Sequence, residues 1–193
     1  MLYLTGVVIC YCLFLLYDIN GVKWKSTVLN LAFFVACAGL LALTVFACIE
    51  DFAGLNIMRL ISGGVLAFLF LALLVYTLFF ALPFEKTYVD RTGEEQKRKV
   101  YKSGVYGLCR HPGVLWYGGF YFSLCLAFGG WRLLVVAAAG TVLDILYVAF
   151  QDAWTFPRLF CNYEGYQREV PFLMPTRSSI KLCFEGLKKK RVA

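Results

Sequence analysis

Residues 113–150 read GVLWYGGFYFSLCLAF-GG-WRLLVVAAAGTVLDILYVAF, two apolar runs parted by Gly129 and Gly130. Only Arg132 and Asp144 carry charge within them. A bilayer core takes about 20 apolar residues per helix, so each run reads as a membrane helix, over 113–128 and 131–150. The two-glycine joint is short enough to force an antiparallel hairpin.

Outward from that hairpin the same pattern recurs. Residues 1–17 are apolar, with no basic start and no small-residue cleavage site, and read as a retained helix rather than a signal peptide. Val28–Cys48 is a second span, and Ile57–Phe84 a third with length to spare for tilt. The whole chain is 61% hydrophobic and 16% charged, with a mean hydropathy of +0.70. Soluble chains run near 45–50% apolar and about 25% charged. The expected fold class is therefore an all-α integral membrane protein with five transmembrane helices. It forms one membrane domain over 1–193: three helices in 1–84, a half with the polar loop, helix hairpin and C-terminal segment in 85–175, and a basic tail in 176–193.

Charge sets the expected orientation. Lys23 and Lys25 lie between the first two spans, and Glu50 and Asp51 between the next two. The 85–110 loop carries Lys86, Arg91, Lys97, Arg98, Lys99, Lys102 and Arg110, and the tail is basic through Lys188-Lys189-Lys190-Arg191. Basic loops stay in the cytoplasm, which puts the N-terminus outside and the C-terminus inside. Arg132 then falls at the outer interface, where it can snorkel. The net charge of +7 is explained by topology and anionic headgroups, so no nucleic-acid partner is expected. Thr87–Asp90 and Lys99–Lys102 flank a possible hairpin turn at Gly93. A polar and aromatic segment from Gln151 to Arg168 reads as an interfacial helix broken near Pro157. None of the eight cysteines forms a C-x-x-C pair; with a single histidine, no metal site and no disulfide framework are expected.

Two polar clusters remain. The first is Gly104-Val105-Tyr106-Gly107-Leu108-Cys109-Arg110-His111-Pro112, containing the only histidine of the chain. Proline opens helices, and a helix starting at Pro112 offers unpaired amides beside a fixed positive charge and a group that titrates near neutral pH. The second runs from Gln151-Asp152 to Tyr163-Glu164-Gly165-Tyr166-Gln167-Arg168-Glu169-Val170-Pro171 and Pro175. Its tyrosines share a face if helical, and Val170-Pro171 ends that helix. Asp144 stands apart: the spacing 144, 148, 152 puts it on the face of Asp152, and a hydrogen bond between helices accounts for it equally well.

Together, G-x-Y-x-x-x-R-H-P and Y-x-x-Y-x-x-x-V-P-x-x-x-P after an acidic position resemble the isoprenylcysteine carboxyl methyltransferase and phospholipid methyltransferase superfamily, over residues 98–175. The chain departs from that pattern at Val114, at Trp116 and at Gln151, where the pattern has tyrosine, glycine and an acidic residue. The resemblance implies S-adenosylmethionine-dependent methyl transfer to a lipophilic or lipid-linked acceptor arriving through the bilayer. It implies a cytosolic cofactor site between the 85–112 loop and the C-terminal segment. Gly104, Tyr106, Arg110, His111, Pro112, Tyr163 and Tyr166 would line the cofactor, and Asp152 with Arg110 would serve catalysis. The alternatives are an NADPH-dependent reductase resembling the sterol reductases, disfavoured by Phe150 where an arginine is needed, and a non-catalytic lipid-binding membrane protein. The identity of the acceptor and the oligomeric state stay open.

Overall fold

The structure is a computed structural model that describes residues 1–52, 56–81, 100 and 102–192, with side chains described to residue 185. The hairpin expected around Gly93 and the basic residues from Lys86 to Lys99 lie outside the described residues. Among those described, the secondary structure is helical with no β-strand. Its helices are α1 (Leu2–Ile19), α2 (Leu31–Glu50), α3 (Ile57–Val75), α4 (Val105–Leu108), α5 (Pro112–Phe128), α6 (Trp131–Phe150), α7 (Phe156–Leu159), α8 (Tyr163–Glu169) and α9 (Arg177–Val192).

Four helical stretches are long and apolar enough to cross a membrane: Leu2–Trp24, Val28–Glu50, Ile57–Phe80 and Trp131–Leu159. Pro112–Phe128 is apolar but shorter. In lipid every backbone polar group needs a partner within the chain, which a helix supplies to itself. By length and composition this is a multi-pass membrane protein. Three of the stretches outrun the α-helix by a wider π-helical turn, at Asn20–Trp24, Tyr76–Phe80 and Gln151–Thr155. The break expected near Pro157 comes later, at Phe160. Proline sits at the start of α7, straight after the π-helical turn, and removes one N–H from a helix that otherwise runs on.

The chain divides into two compact units. The first, Met1–Leu71 with Tyr117–Gln151, is a helix bundle. Tyr3 on α1 donates to Glu50 at the end of α2, 2.9 Å away, while a Cβ on Gly39 would lie 2.8 Å from the Cys10 sulfur; the two helices are antiparallel. Arg59 Nε donates to the Leu126 carbonyl at 3.1 Å, and Gly119 lies against the Phe70 ring, so α3 and α5 are antiparallel too. Tyr147 packs on Tyr11 and Phe14, at the far end of α6 from Arg132, which makes α1 and α6 parallel. Successive long helices thus alternate in direction. Small residues at these crossings let backbones approach, the usual packing device in membranes.

The bundle core is apolar and tight around Val7, Ala36, Leu133 and Val136. Its outer face is apolar as well: Phe34 is 66% exposed and Phe68 74%, surface that lipid covers. Several polar groups inside are partnered across helices, whereas the buried Tyr117 hydroxyl has no hydrogen-bond partner among the described residues. Thr44 Oγ1 and the Tyr121 hydroxyl are 2.7 Å apart, and Asp18 hydrogen-bonds with Tyr147. Asp144 lies beside the Tyr11 hydroxyl of α1, so its neighbour is another helix of this bundle. The π-helical turn after Phe150 also breaks the regular spacing from Asp144 to Asp152, since each residue there turns through a smaller angle.

Arg132 is held rather than snorkelling. Its Nε lies 2.6 Å from Glu50 Oε2, and its Nη1 lies 3.2 Å from Asp51 Oδ1. The Asp51 carboxylate also accepts the Leu133 N–H at 3.1 Å, capping the first turn of α6 from outside it.

The second unit is Ala72–Trp116 with Asp152–Ala193. Gly104 enters α4 at φ 65° and ψ −137°, backbone that a side chain rarely tolerates. A Cβ on Gly107 would stand 3.0 Å from the Lys102 carbonyl oxygen and 3.4 Å from the Cys183 nitrogen, because α9 lies directly on α4. Phe156, Phe160, Tyr163, Tyr166 and Val170 form a small apolar core.

Candidate functional site

After α4 the chain is extended at Cys109 and pairs with the segment following α8. The Arg110 N–H donates to the Pro171 carbonyl at 2.9 Å, and the His111 N–H to the Phe172 carbonyl at 3.3 Å. Pro112 then opens α5 and is fully buried. These backbone bonds put Arg110 and His111 beside the π-helical turn that carries Asp152, a kind of turn that recurs at functional sites.

Arg110 is nearly saturated. Its Nε and Nη2 grip Asp152 Oδ1 and Oδ2 at 2.8 and 2.9 Å, the bidentate geometry that makes guanidinium–carboxylate pairs strong. Its Nη1 donates to the carbonyls of Gln167 and Val170 at 2.8 and 2.9 Å. Those are terminal carbonyls of α8, which lack helical partners and carry the negative end of its dipole. The anion this arginine holds belongs to the protein.

Asp152 is the hub. Besides Arg110, Oδ1 accepts His111 Nε2 at 3.2 Å and the Tyr163 hydroxyl. Oδ2 accepts Gln167 Nε2 at 3.0 Å, which also reaches the Asp152 carbonyl. Five donors on two oxygens use the acceptor capacity of a carboxylate. Since an ionised carboxylate only accepts, Nε2 of His111 carries a hydrogen. Nδ1 is the ring nitrogen this contact does not use. The imidazole stacks on Phe156, with centroids 5.8 Å apart and planes 12° from parallel, and meets Phe172 edge-on at 5.1 Å.

The tyrosines form a second tier. The rings of Tyr163 and Tyr166 lie 5.9 Å apart on one face of α8, as their spacing requires. Tyr166 donates to the Tyr106 carbonyl at 2.7 Å, and Tyr106 donates to the Thr77 carbonyl at 3.1 Å. Burial pushes the Tyr106 phenol up to about 12. Burial also raises Tyr163 and Tyr166, and the hydrogen-bonded Asp152 carboxylate raises Tyr163 further.

Those shifts have a sign that can be measured. Unfolded tyrosine ionises near pH 10, whereas these three stay protonated above it in the folded state. Their contribution to stability is complete below pH 10 and falls as pH rises beyond it. Tyrosinate absorbance is expected to show Tyr163→Phe losing no step near pH 10 relative to the parent. A lost step there would mean Tyr163 is solvated.

The structure thus brings Arg110, His111, Asp152 and Tyr163 into direct contact and sets Tyr166 and Tyr106 one hydrogen bond away. Gly104 and Pro112 shape the turns that deliver them. Sequence reasoning missed Gln167, Phe156 and Phe172. The first carried a legible signal, because it stands four residues after Tyr163 on α8 and so adjoins it on the helix; the rings of Phe156 and Phe172 carried none.

The thiols test this packing. Cys109 and Cys183 are buried and Cys161 is exposed; desolvation pushes Cys109 up to about 11, and the thiolate is the reactive form. At neutral pH a polar maleimide is expected to label Cys161 and spare Cys109 and Cys183. Rapid labelling of Cys109 would contradict the α4–α9 contact.

No family model, curated protein or solved structure matches the chain.

Proposed function

We propose that this chain is an S-adenosylmethionine-dependent methyltransferase of the superfamily its two motifs resemble, acting on a lipophilic acceptor dissolved in the membrane. One observation carries the reading. The two stretches that bear the resemblance, far apart in sequence, converge on the single Asp152 carboxylate, and Arg110 and His111 from one meet Tyr163 and Gln167 from the other there.

The residues suit a sulfonium-bearing cofactor through their aromatic faces, because Phe156, Phe172 and Tyr163 surround this carboxylate–imidazole pair and such rings attract cations. When bound, S-adenosylmethionine supplies an electrophilic methyl group. His111 would meet it through Nδ1, Tyr163 and Tyr166 would wall it, and Gly104, Tyr106 and Pro112 would shape its approach. Arg110 is engaged by Asp152 and two carbonyls, so its part is to hold α8 and the His111 segment together. Asp152 acts in the same way, as a positioning group that orients His111 and Tyr163. Methyl displacement needs in-line placement and exclusion of water more than proton transfer, which is what a rigid, aromatic-lined site provides.

Five spans belong to this reading. α5 follows α3 from Leu126 beside Arg59 to Gly119 beside Phe70. Its 17 residues rise about 25 Å, slightly under a core of about 30 Å, a mismatch that local thinning of the bilayer absorbs. Alternation over α1, α2, α3, α5 and α6 then puts the two ends of the chain on opposite sides, with the basic C-terminal segment cytoplasmic. A reporter fused after Ala193 is expected to be active only on the cytoplasmic side; activity on the outer side would refute this topology.

The decisive test is retention of labelled S-adenosylmethionine and, separately, NADPH by the purified protein. Retention of the first alone is expected, and His111→Ala should weaken it about tenfold, the loss of one good polar contact. Retention of NADPH instead, or full binding by His111→Ala, would defeat the proposal.

A further inference from the structure

α9 presents two different faces. Ser179 and Cys183, one turn apart, are buried on the side that meets α4. Ile180 and Phe184, also one turn apart, are 40% and 62% exposed. The helical repeat puts residue 187, a leucine, next in register with that row. Basic residues border it in the sequence: Arg177 and Lys181 precede or flank it, and Lys188-Lys189-Lys190-Arg191 forms the last turns. Lys181 lies only 3.9 Å from Glu185, the single acidic residue of α9, in a loose and exposed pair. An apolar row with cations along one edge, at Arg177 and Lys181, and a basic run at its end is the pattern of a helix lying in a membrane interface.

The position of α9 supplies the second argument. It packs on α4, and only residues 109–111 separate α4 from the start of α5, a 17-residue apolar helix that the five-span reading proposed above sets across the membrane. α9 therefore lies at the end of a membrane helix, where headgroups are, rather than out in the aqueous phase. The charge complement of this face is an anionic lipid surface.

We propose that α9 is an interfacial helix that binds anionic lipid: the row begun by Ile180 and Phe184 enters the acyl boundary while the lysines and arginines hold anionic headgroups of the same leaflet. The inference is independent of what the Asp152 site binds. It rests on the chain residing in a membrane with α5 as one of its spans.

The test uses full-length Phe184→Trp, reconstituted in vesicles containing acyl-brominated lipid, with the parent protein subtracted to remove its native tryptophans. One set is phosphatidylcholine alone, and the other contains one part phosphatidylglycerol to two parts phosphatidylcholine. Bromine quenching of the introduced indole is expected to be at least about twofold stronger with the anionic lipid, and to fall toward the neutral-lipid level in molar salt. Adding Lys188→Gln, Lys189→Gln, Lys190→Gln and Arg191→Gln should abolish the difference between vesicles. Three outcomes overturn the proposal. They are no quenching in either vesicle; equal quenching in both that the glutamine variant leaves unchanged; and an unquenched indole whose emission shifts with protein-to-lipid ratio, which would mean a second copy covers this face.

Discussion

Asp152→Asn is expected to destabilise the second unit by about 3–5 kcal/mol, the range for leaving one member of a buried ion pair without its partner. The substitution is close in size but opposite in hydrogen-bond sense. An amide offers one acceptor oxygen, and its NH2 would face donors where Oδ1 or Oδ2 now accepts from Arg110, His111, Tyr163 and Gln167. Arg110, whose side chain is only 11% exposed, would keep its charge and lose its counter-ion. The measurement is unfolding in micelles by graded denaturing detergent, followed by proteolysis of the C-terminal segment. Arg110→Met combined with Asp152→Asn should recover part of the loss, because the uncompensated charge goes with the arginine. A loss under about 1 kcal/mol for Asp152→Asn would mean that the carboxylate is solvated, as an exposed ion pair would be, and that its five contacts are not formed together. On the proposed methyltransferase reading, turnover in Asp152→Asn falls as well, through displaced His111 and Tyr163, so activity is informative only beside the stability measurement.

Gly130→Ala is expected to cost the first unit about 2–4 kcal/mol, summing overpacking with the loss of a helix cap. The added Cβ would fall 1.8 Å from Asp51 Cγ and 2.3 Å from its Cβ, so the whole side chain must leave. Its departure frees the Leu133 N–H and one of the two carboxylates holding Arg132. Asp51→Gly, which removes the Cβ as well as the carboxylate, should reduce the further cost of Gly130→Ala to nearly nothing. Thermal aggregation in detergent reads both variants, and additive costs would show that the clash is relieved some other way.

The membrane helices were legible because burial in lipid demands long apolar runs, and these leave a clear pattern at Val28–Glu50, Ile57–Phe80 and Trp131–Phe150. Their ends were less legible. The π-helical turns at Tyr76–Phe80 and Gln151–Thr155 carry no compositional mark, since they arise where a carbonyl or side chain finds a better partner than the regular ladder offers. The aromatic pair on α8 and the stop at Val170-Pro171 were readable from spacing and proline geometry alone. Asp144 was not: its spacing fitted the face of Asp152 and an interhelical contact alike, and only the position of Tyr11 on another helix separated them.

By itself the sequence determined an all-helical, membrane-embedded chain with two polar clusters at residues 104–112 and 151–171, because hydrophobic length and local turn chemistry are properties of contiguous residues. Only the tertiary structure decided that these clusters share one carboxylate, that Arg110 spends its donors on Asp152 and the end of α8, and that Arg132 is clamped by Glu50 and Asp51. Each of those partnerships joins residues 40 or more positions apart. Charge and hydrogen-bonding capacity can be read from a residue, but the partner that satisfies them is set by which helices pack together.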